Sequence, residues 1–323
     1  MSGPPPAAAD PDLLDSVVAG ALDWLGAHRD RFRLPADVAT DADPNLTLKP
    51  LGELAELTQL IHARHPRAEV RERAGELFSF TWEEFGYGAL HAELVRGEPQ
   101  AAYPVELYGV FARAGLRHPE ADALLATVTG LRGWRVAGGD HTRTLSVLNA
   151  ERRIGLPLHA DPDAVFALTG LGVRAEPWLL DRRAAYGITH DVFHRTDWGR
   201  ARHRMPAPLA AYLRLWLPCW LEGELERELW DLAGELLAVG GCLPEPWCPA
   251  DAWHRLAAAQ RPDGGVPETG DPAQFPYGDD PFLLCYHSTL VTAFAATLAR
   301  AGTDAAPDDL PHAASGRESE AAP

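Results

Sequence analysis

The sequence predicts an all-α protein, an (α/α) toroid or barrel of about a dozen helices in two concentric rings. Three observations lead to this fold class. Apolar residues recur at helical spacing along most of the chain, in stretches that Pro and Gly separate. Alternating strand patterns are nearly absent, and residues 286–299 carry hardly any charge. A helix that is apolar on every side is buried on every side, as an inner-ring helix is.

The expected helices follow one another with short connections. The first begins at Asp12, a suitable N-cap, and continues to Leu25 with apolar residues at helical spacing. Further helices are expected near residues 49–65, 68–97, 104–116, 119–132, 142–153, 162–170, 175–185, 187–202, 207–221, 223–239, 250–259 and 282–301. No repeat of roughly 34–47 residues is evident, which favours a closed ring over an open solenoid.

The two ends of the chain differ in composition from the rest. Residues 1–10 and residues 303–323 are rich in Pro and Ala and lack apolar periodicity, so we expect both tails to be disordered. Residues 11–302 are then a single toroid domain. With 46% hydrophobic residues in 323, the chain can bury a substantial core.

Charge and motifs exclude several classes of function. A net charge of −17 repels phosphates and anionic lipids, so neither nucleic acid nor a membrane is an expected partner. The four cysteines form no C-x-x-C pair, no secretory signal is visible, and no apolar run reaches about 18 residues, which indicates a cytoplasmic protein. The absence of G-x-G-x-x-G, P-loop and G-x-S-x-G motifs disfavours dinucleotide, NTPase and α/β-hydrolase chemistry.

The strongest chemical signal is the segment THDVFHRTDWG, residues 189–199. On a helix that Thr189 caps, His190 and His194 lie four residues apart on one face and can chelate one metal ion. Asp191 would lie in the first turn as a catalytic carboxylate, and Asp197 would be a further ligand or orient a histidine. In the alternative interpretation, His194 contacts a neighbouring helix and Asp197 caps a turn.

A second signal opens the apolar stretch near the C-terminus. His287 would be a third metal ligand or a general base, because its ordinary pKa lies near neutrality, and Tyr286 beside it is a candidate catalytic residue. The alternative is a buried histidine that a backbone carbonyl satisfies. If the helices form a ring, His190 and His287 both begin inner helices and converge.

Two further helix starts carry candidate catalytic residues. Glu106 lies in YPVELYGVF, and Arg143 lies in GGDHTRTLS. Arg143 can hold a substrate carboxylate or phosphate through two hydrogen bonds. An interhelical or solvated salt bridge is the alternative for each of these residues.

The segments QRPDGGVPETG (260–270) and CYHSTLVTAFAATLAR (285–300) resemble α/α-toroid families. These are the protein prenyltransferase β subunits, the squalene-type terpene cyclases and the lanthionine cyclases. Tyr286-His287-Ser288 is similar to the Tyr-His-Thr sequence of prenyltransferase β subunits, whose histidine binds zinc, so the resemblance assigns a zinc-ligand role to His287. The preceding Asp-x-Cys pair of that family and the D-x-D-D motif of the cyclases are missing here.

Over its whole length the chain resembles uncharacterised actinobacterial proteins from natural-product gene neighbourhoods. The segments LKPLGELAEL (48–57) and YGITHDVFHRTDWG (186–199) carry this likeness. It implies a place in bacterial natural-product biosynthesis and specifies no reaction.

Together these signals predict a metal-dependent enzyme that acts on a small or peptidic substrate. His190, His194, His287 and Asp197 would hold a divalent zinc, iron or copper ion. Two alternatives stay open: a non-catalytic module that binds a peptide or intermediate, and a metal-free toroid enzyme of cyclase or glycosidase type that uses carboxylates. The oligomeric state is open as well.

Overall fold

The computed structural model describes residues 7–40, 42–136, 139–271, 273 and 280–303, without the side chains of residues 302 and 303. The described residues contain fourteen α-helices and no β-strand, so the all-α prediction is confirmed. Their bounds are α1 Pro11–Ala27, α2 Leu48–Arg64, α3 Ala68–Glu84, α4 Ala89–Gly97, α5 Tyr103–Arg113, α6 Pro119–Thr129, α7 His141–Ile154, α8 Pro162–Phe166, α9 Gly170–Val173, α10 Arg182–Thr196, α11 Ala207–Glu226, α12 Trp230–Cys242, α13 Ala250–Ala259 and α14 Pro281–Thr303. Short 3-10 helices lie at Arg29–Phe32, Gly86–Gly88, Arg132–Arg135, Pro177–Leu179 and Arg202–Arg204.

The first helix begins two residues earlier than expected, since the expected N-cap was Asp12. Asp10 is its N-cap and accepts a hydrogen bond from the Asp12 backbone N–H at 3.0 Å, while Pro11 occupies the first helical position. The backbone of residues 7–9 then lies against residues 248–250, through an isolated bridge between Ala8 and Pro249. Of the predicted tails, residues 1–6 and 304–323 lie outside the described residues.

The single helix expected over residues 68–97 is two helices. Helix α3 ends at Glu84, and the chain passes through Tyr87 at φ 53° and Gly88 at φ 96° before α4 begins. A Cβ atom on Gly88 would lie 2.5 Å from that of His118, so the turn requires glycine both for its backbone conformation and for this close approach. The apolar periodicity of the two helices continues across the break, which is why the sequence pattern did not reveal it.

The boundaries expected around residues 175–202 are also wrong. Residues 177–179 form a short 3-10 turn, and α10 begins at Arg182, where the Asp181 carboxylate accepts a hydrogen bond from the Ala184 N–H at 2.7 Å. Thr189 therefore caps no helix and lies in the middle of α10. The helix ends where Asp197 turns to φ 50° and ψ 53°.

Six helices pack in successive pairs: α2 with α5, α5 with α7, α7 with α10, α10 with α12, α12 with α14, and α14 with α2. The other helices pack outside these pairs, as α3 does on α2, α1 on α14 and α11 on α12. The same six helices line a cavity in which the candidate site lies.

Helix α14 has the length and hydropathy of a membrane span, although 83% of its most apolar window is buried inside the protein. Leu290, Ala293, Phe294, Ala295 and Ala296 are fully buried on it. Such burial is typical of the core helix of a globular domain, so this helix is weak evidence for a membrane.

Candidate functional site

A cavity of about 550 Å³ is lined by residues of α2, α5, α7, α10, α12 and α14. One part of its wall is apolar, formed by Leu57, Phe193, Trp198, Val291 and Phe294. The charged part has more carboxylates than cationic side chains: the acids Glu53, Glu56, Glu106, Asp140 and Glu235 against Lys49, Arg143 and Arg153.

Asp231, Glu235 and His287 form a cluster at the α12–α14 side of the cavity, and we call these three residues the acidic–histidine cluster. One potential ligand atom from each lies within 4.8 Å of those of the other two, a spacing that suits a metal ion. Asp231 and Glu235 are one helical turn apart on α12, so their side chains share a face.

The cluster is held by hydrogen bonds from three helices. The Asp231 carboxylate accepts from Nδ1 of His287 at 2.6 Å and from the hydroxyl of Tyr186 at 2.5 Å. One oxygen of Glu235 accepts from the hydroxyl of Thr189, and the other lies 3.6 Å from Nε2 of His190. The side chains of α10 therefore hold both carboxylates of α12.

The carboxylates change the proton affinity of both histidines. Burial by itself lowers the pKa of His287, but Asp231 and Glu53 outweigh this effect and raise the pKa to about 10. Burial also opposes the charge of His190, whose pKa is nevertheless raised by Glu235. Without a bound ligand, the His287 imidazole is therefore protonated near neutral pH, and the pKa of His190 shifts in the same direction.

The pKa of His194 shifts in the opposite direction. Burial, followed by the charges of His190 and Arg153, lowers its pKa well below the ordinary value, so its ring is neutral. The ring centroids of His190 and His194 are 6.0 Å apart, and that of Trp198 lies 6.1 Å beyond His194. Both histidines line the cavity on one face of α10, as their spacing predicts, but only His190 contacts the acidic–histidine cluster.

Asp197 lies in a different network, whose members Asn149, Arg153 and Glu56 also line the cavity. Its carboxylate accepts from Nε of Arg153 at 2.9 Å and from Nδ2 of Asn149 at 3.1 Å, and it pairs with Arg113. Burial opposes the charge of Asp197, but Arg153 and Arg113 lower its pKa below the ordinary value. The structure therefore does not bring Asp197 to the histidines as a metal ligand, because three side chains already satisfy it.

Arg153 is the centre of this network. Its side chain is buried and bridges Asp197 and Glu56, whose oxygens it contacts through Nη1 and Nη2. Arg200 joins Glu56 at 3.1 Å, and burial together with its arginine neighbours lowers the pKa of Arg200 to about 10 even though Glu56 opposes this shift. The network connects α2, α7 and the end of α10.

Two other predicted catalytic residues lie away from the cavity lining. Asp191 is fully buried on another face of α10, where it accepts from the hydroxyl of Thr142 at 2.7 Å and from the Leu171 N–H at 3.1 Å. Tyr286 stacks on Phe282 with a centroid distance of 5.3 Å. Asp191 follows His190 in sequence, and Tyr286 precedes His287. Since neighbouring residues of a helix face different directions, their side chains point away from the cavity that the histidines line.

Glu106 and Arg143 line the cavity as predicted, and they form an ion pair at 2.5 Å. Burial raises the pKa of Glu106, although Arg143 opposes this change. Since Arg143 already has a carboxylate partner, the interhelical salt bridge that we weighed as an alternative is present between α5 and α7.

Sequence reasoning missed the carboxylates of the cluster and Glu53 of the neighbouring helix α2. Asp231 and Glu235 are the two charged residues in WDLAGELLAVGGC, an otherwise apolar helix. A buried carboxylate is paired or binds a metal, so this pattern was a usable signal. Glu53 lies in GELAEL on α2 and has no local feature that separates it from a solvated glutamate.

Comparison with known proteins gives one result. Residues 18–297 match the model of the DUF6895 family, a domain of unknown function. The chain belongs to the DUF6895 family. The match of this DUF6895 chain spans both α12 and α14, so the acidic–histidine cluster lies within the family domain. No curated protein and no solved structure matches the chain significantly.

Proposed function

We propose that this DUF6895 protein is a metal-dependent enzyme whose divalent cation binds at the acidic–histidine cluster. The spacing of Asp231, Glu235 and His287 within 4.8 Å carries this proposal. Two carboxylates with one or two imidazoles suit zinc or iron, whereas copper(I) favours the thiolates and thioethers that this cluster lacks. A bound divalent ion lowers the pKa of a water ligand and polarises a substrate oxygen.

The charges at the site support a cation. Asp231 is 4% and Glu235 1% exposed, and burying two carboxylates this close together is unfavourable unless a positive charge accompanies them. In the metal-free protein the protonated His287 supplies part of that charge. His190 lies against Glu235 and is placed to contribute a second imidazole.

The substrate that the cavity favours is a small organic molecule or a short peptide segment. A volume of about 550 Å³ is that of a pocket for such ligands, and its apolar wall carries the aromatic rings of Phe193, Trp198 and Phe294. The likeness to proteins of natural-product gene neighbourhoods supports an intermediate of such a pathway as the substrate.

The ring architecture is part of the proposal. Each of the six helices that line the cavity packs on the next, and α14 packs on α2, which is the neighbour relation of a closed inner ring. A cavity lined by all six is expected at the mouth of such an (α/α) barrel. The outer helices α1, α3 and α11 pack on inner ones, as the second ring requires.

A second candidate function needs no metal. Tyr186, Asp231 and His287 form a hydrogen-bonded chain in which Asp231 holds one ring nitrogen of His287, as in an acid–base dyad. In that case His287 exchanges a proton with the substrate through Nε2, and the carboxylates tune its pKa. Metal content separates the two functions.

The test is elemental analysis of full-length protein purified without a histidine tag, before and after reconstitution with Zn²⁺ or Fe²⁺. We expect near-stoichiometric metal in the wild type and its loss in His287→Ala, with a smaller loss in His190→Ala. His254→Ala is the matched control, because this exposed histidine bonds only its own helix. Wild-type protein that stays empty after reconstitution would overturn the metal-dependent function in favour of the dyad or a binding role.

A further inference from the structure

Both oxygens of Asp231 already have donors. Oδ1 accepts from Nδ1 of His287 at 2.6 Å, and Oδ2 accepts from the Tyr186 hydroxyl at 2.5 Å. A carboxylate that receives the Nδ1–H of an imidazole typically fixes the orientation of a metal-binding histidine. This geometry is that of an outer carboxylate and leaves Nε2 as the free ring nitrogen of His287.

Nε2 of His287 faces Glu53, a residue of α2 on the neighbouring wall. The distance from this nitrogen to Oε1 of Glu53 is 3.8 Å. At that separation the two atoms are too far apart for a hydrogen bond and leave space for an ion between them after a small adjustment. The packing of α14 on α2 brings these two residues together.

Glu53 has an unsatisfied oxygen in the cavity wall. Its Oε2 is buried and accepts no hydrogen bond from any residue in the part of the chain that the structure describes. The i,i+4 contact with Lys49, at 3.8 Å, involves Oε1, and the Lys49 side chain is 56% exposed. A buried carboxylate oxygen without a partner is costly, and a bound cation removes this cost.

Glu235, like Glu53, lines the cavity. The Thr189 hydroxyl holds Oε2, while Oε1 lies 3.6 Å from Nε2 of His190. Oε1 of Glu235 therefore has only this longer contact with His190, whereas both oxygens of Asp231 accept a short hydrogen bond.

We propose that Glu53 is a direct ligand of the cation, together with Nε2 of His287 and Glu235, and that Asp231 and Tyr186 are positioning residues. This inference rests on the proposed metal-dependent function and assigns the roles within it. The cation then lies between α2, α12 and α14, where it joins helices from distant parts of the chain.

The experiment is a titration of the full-length, metal-free protein with Co²⁺, followed by calorimetry and by the visible d–d absorption bands. We expect Glu53→Gln to change the bands and to weaken binding by more than the roughly 10–100-fold that loss of an outer carboxylate causes. Asp231→Asn should weaken binding by about 10–100-fold and keep the wild-type band positions. Asp231→Glu should recover part of the affinity.

Asp161→Asn is the matched control for charge. Asp161 is not among the residues that line the cavity, and asparagine preserves its N-cap hydrogen bond from the Asp163 N–H, so the affinity and the bands should stay unchanged. Wild-type affinity and bands in Glu53→Gln would overturn the ligand role of Glu53 and leave the proposed function intact. Band changes in Asp231→Asn as large as those in Glu53→Gln would make Asp231 a ligand and overturn its positioning role. A wild type that binds no Co²⁺ overturns both proposals.

Discussion

Nδ1 of His287 and Oδ1 of Asp231 lie 2.6 Å apart and join α14 to α12 at the wall of the cavity. Asp231 is buried, and the side chain of His287 is 27% exposed, so solvent screens this pair only in part. The pair therefore contributes to the stability of the helix contact as well as to the site.

Asp231→Ala should destabilise the metal-free protein by about 3–5 kcal/mol, because it leaves the charge of His287 without its main partner. The double variant Asp231→Ala/His287→Ala should lose less than the sum of the single variants. Urea unfolding in the presence of a chelator measures the free energy of unfolding of the two single variants and of the double variant. Additive losses would contradict a direct interaction between the two side chains.

Metal should stabilise the folded protein. A ligand that binds only the native state at 100 times its Kd adds about 2.7 kcal/mol to the free energy of unfolding. We expect Zn²⁺ to raise the Tm of the wild type, EDTA to reverse the increase, and His287→Ala to show no increase. An equal Tm increase in His287→Ala would point to metal binding elsewhere on the acidic surface.

Acid should destabilise the protein through His91. This histidine is fully buried beside Phe85, and burial lowers its pKa from 6.5 to about 3. Between pH 6.5 and pH 3 the unfolded chain therefore binds more protons than the native state. The part of the free energy of unfolding that depends on a neutral His91 is fully present above pH 6.5 and is lost as the pH falls toward 3. At pH 5 the loss is about 2 kcal/mol.

His91→Leu removes this group and keeps a similar volume. Urea unfolding at pH 7.5 and pH 5.0 should therefore show a pH-dependent loss that is smaller by about 2 kcal/mol in the variant than in the wild type. His65, whose pKa burial also lowers, stays in both proteins and cancels in the comparison. The same pH dependence in both proteins would show that His91 titrates normally.

The buried ion pairs of Glu56 and Asp197 should stabilise the protein through their shared partner Arg153. Arg153→Ala leaves Glu56 and Asp197 buried with fewer partners and should cost about 3–5 kcal/mol in the free energy of unfolding. Arg96→Ala removes an exposed ion pair with Glu120 and should cost less than about 1 kcal/mol. Chemical denaturation of both variants checks the difference, and a similar small loss in both would contradict the importance of the network.

Much of the fold and part of the site follow from local patterns. Helical periodicity and Pro/Gly punctuation indicate the helices, since both act over a few neighbouring residues. The same periodicity places His190 and His194 on one face. The break at Gly88 was missed because the apolar pattern continues through it.

Local sequence patterns indicate the all-helical class and a set of polar residues that line one cavity, namely Glu106, Arg143, His190, His194 and His287. Which of these residues meet depends on how the helices pack in three dimensions. Asp231 reaches His287 across 56 residues of sequence, and Glu53 reaches it from a helix near the other end of the chain. Such contacts depend on how helices pack, and no short segment of sequence encodes that packing.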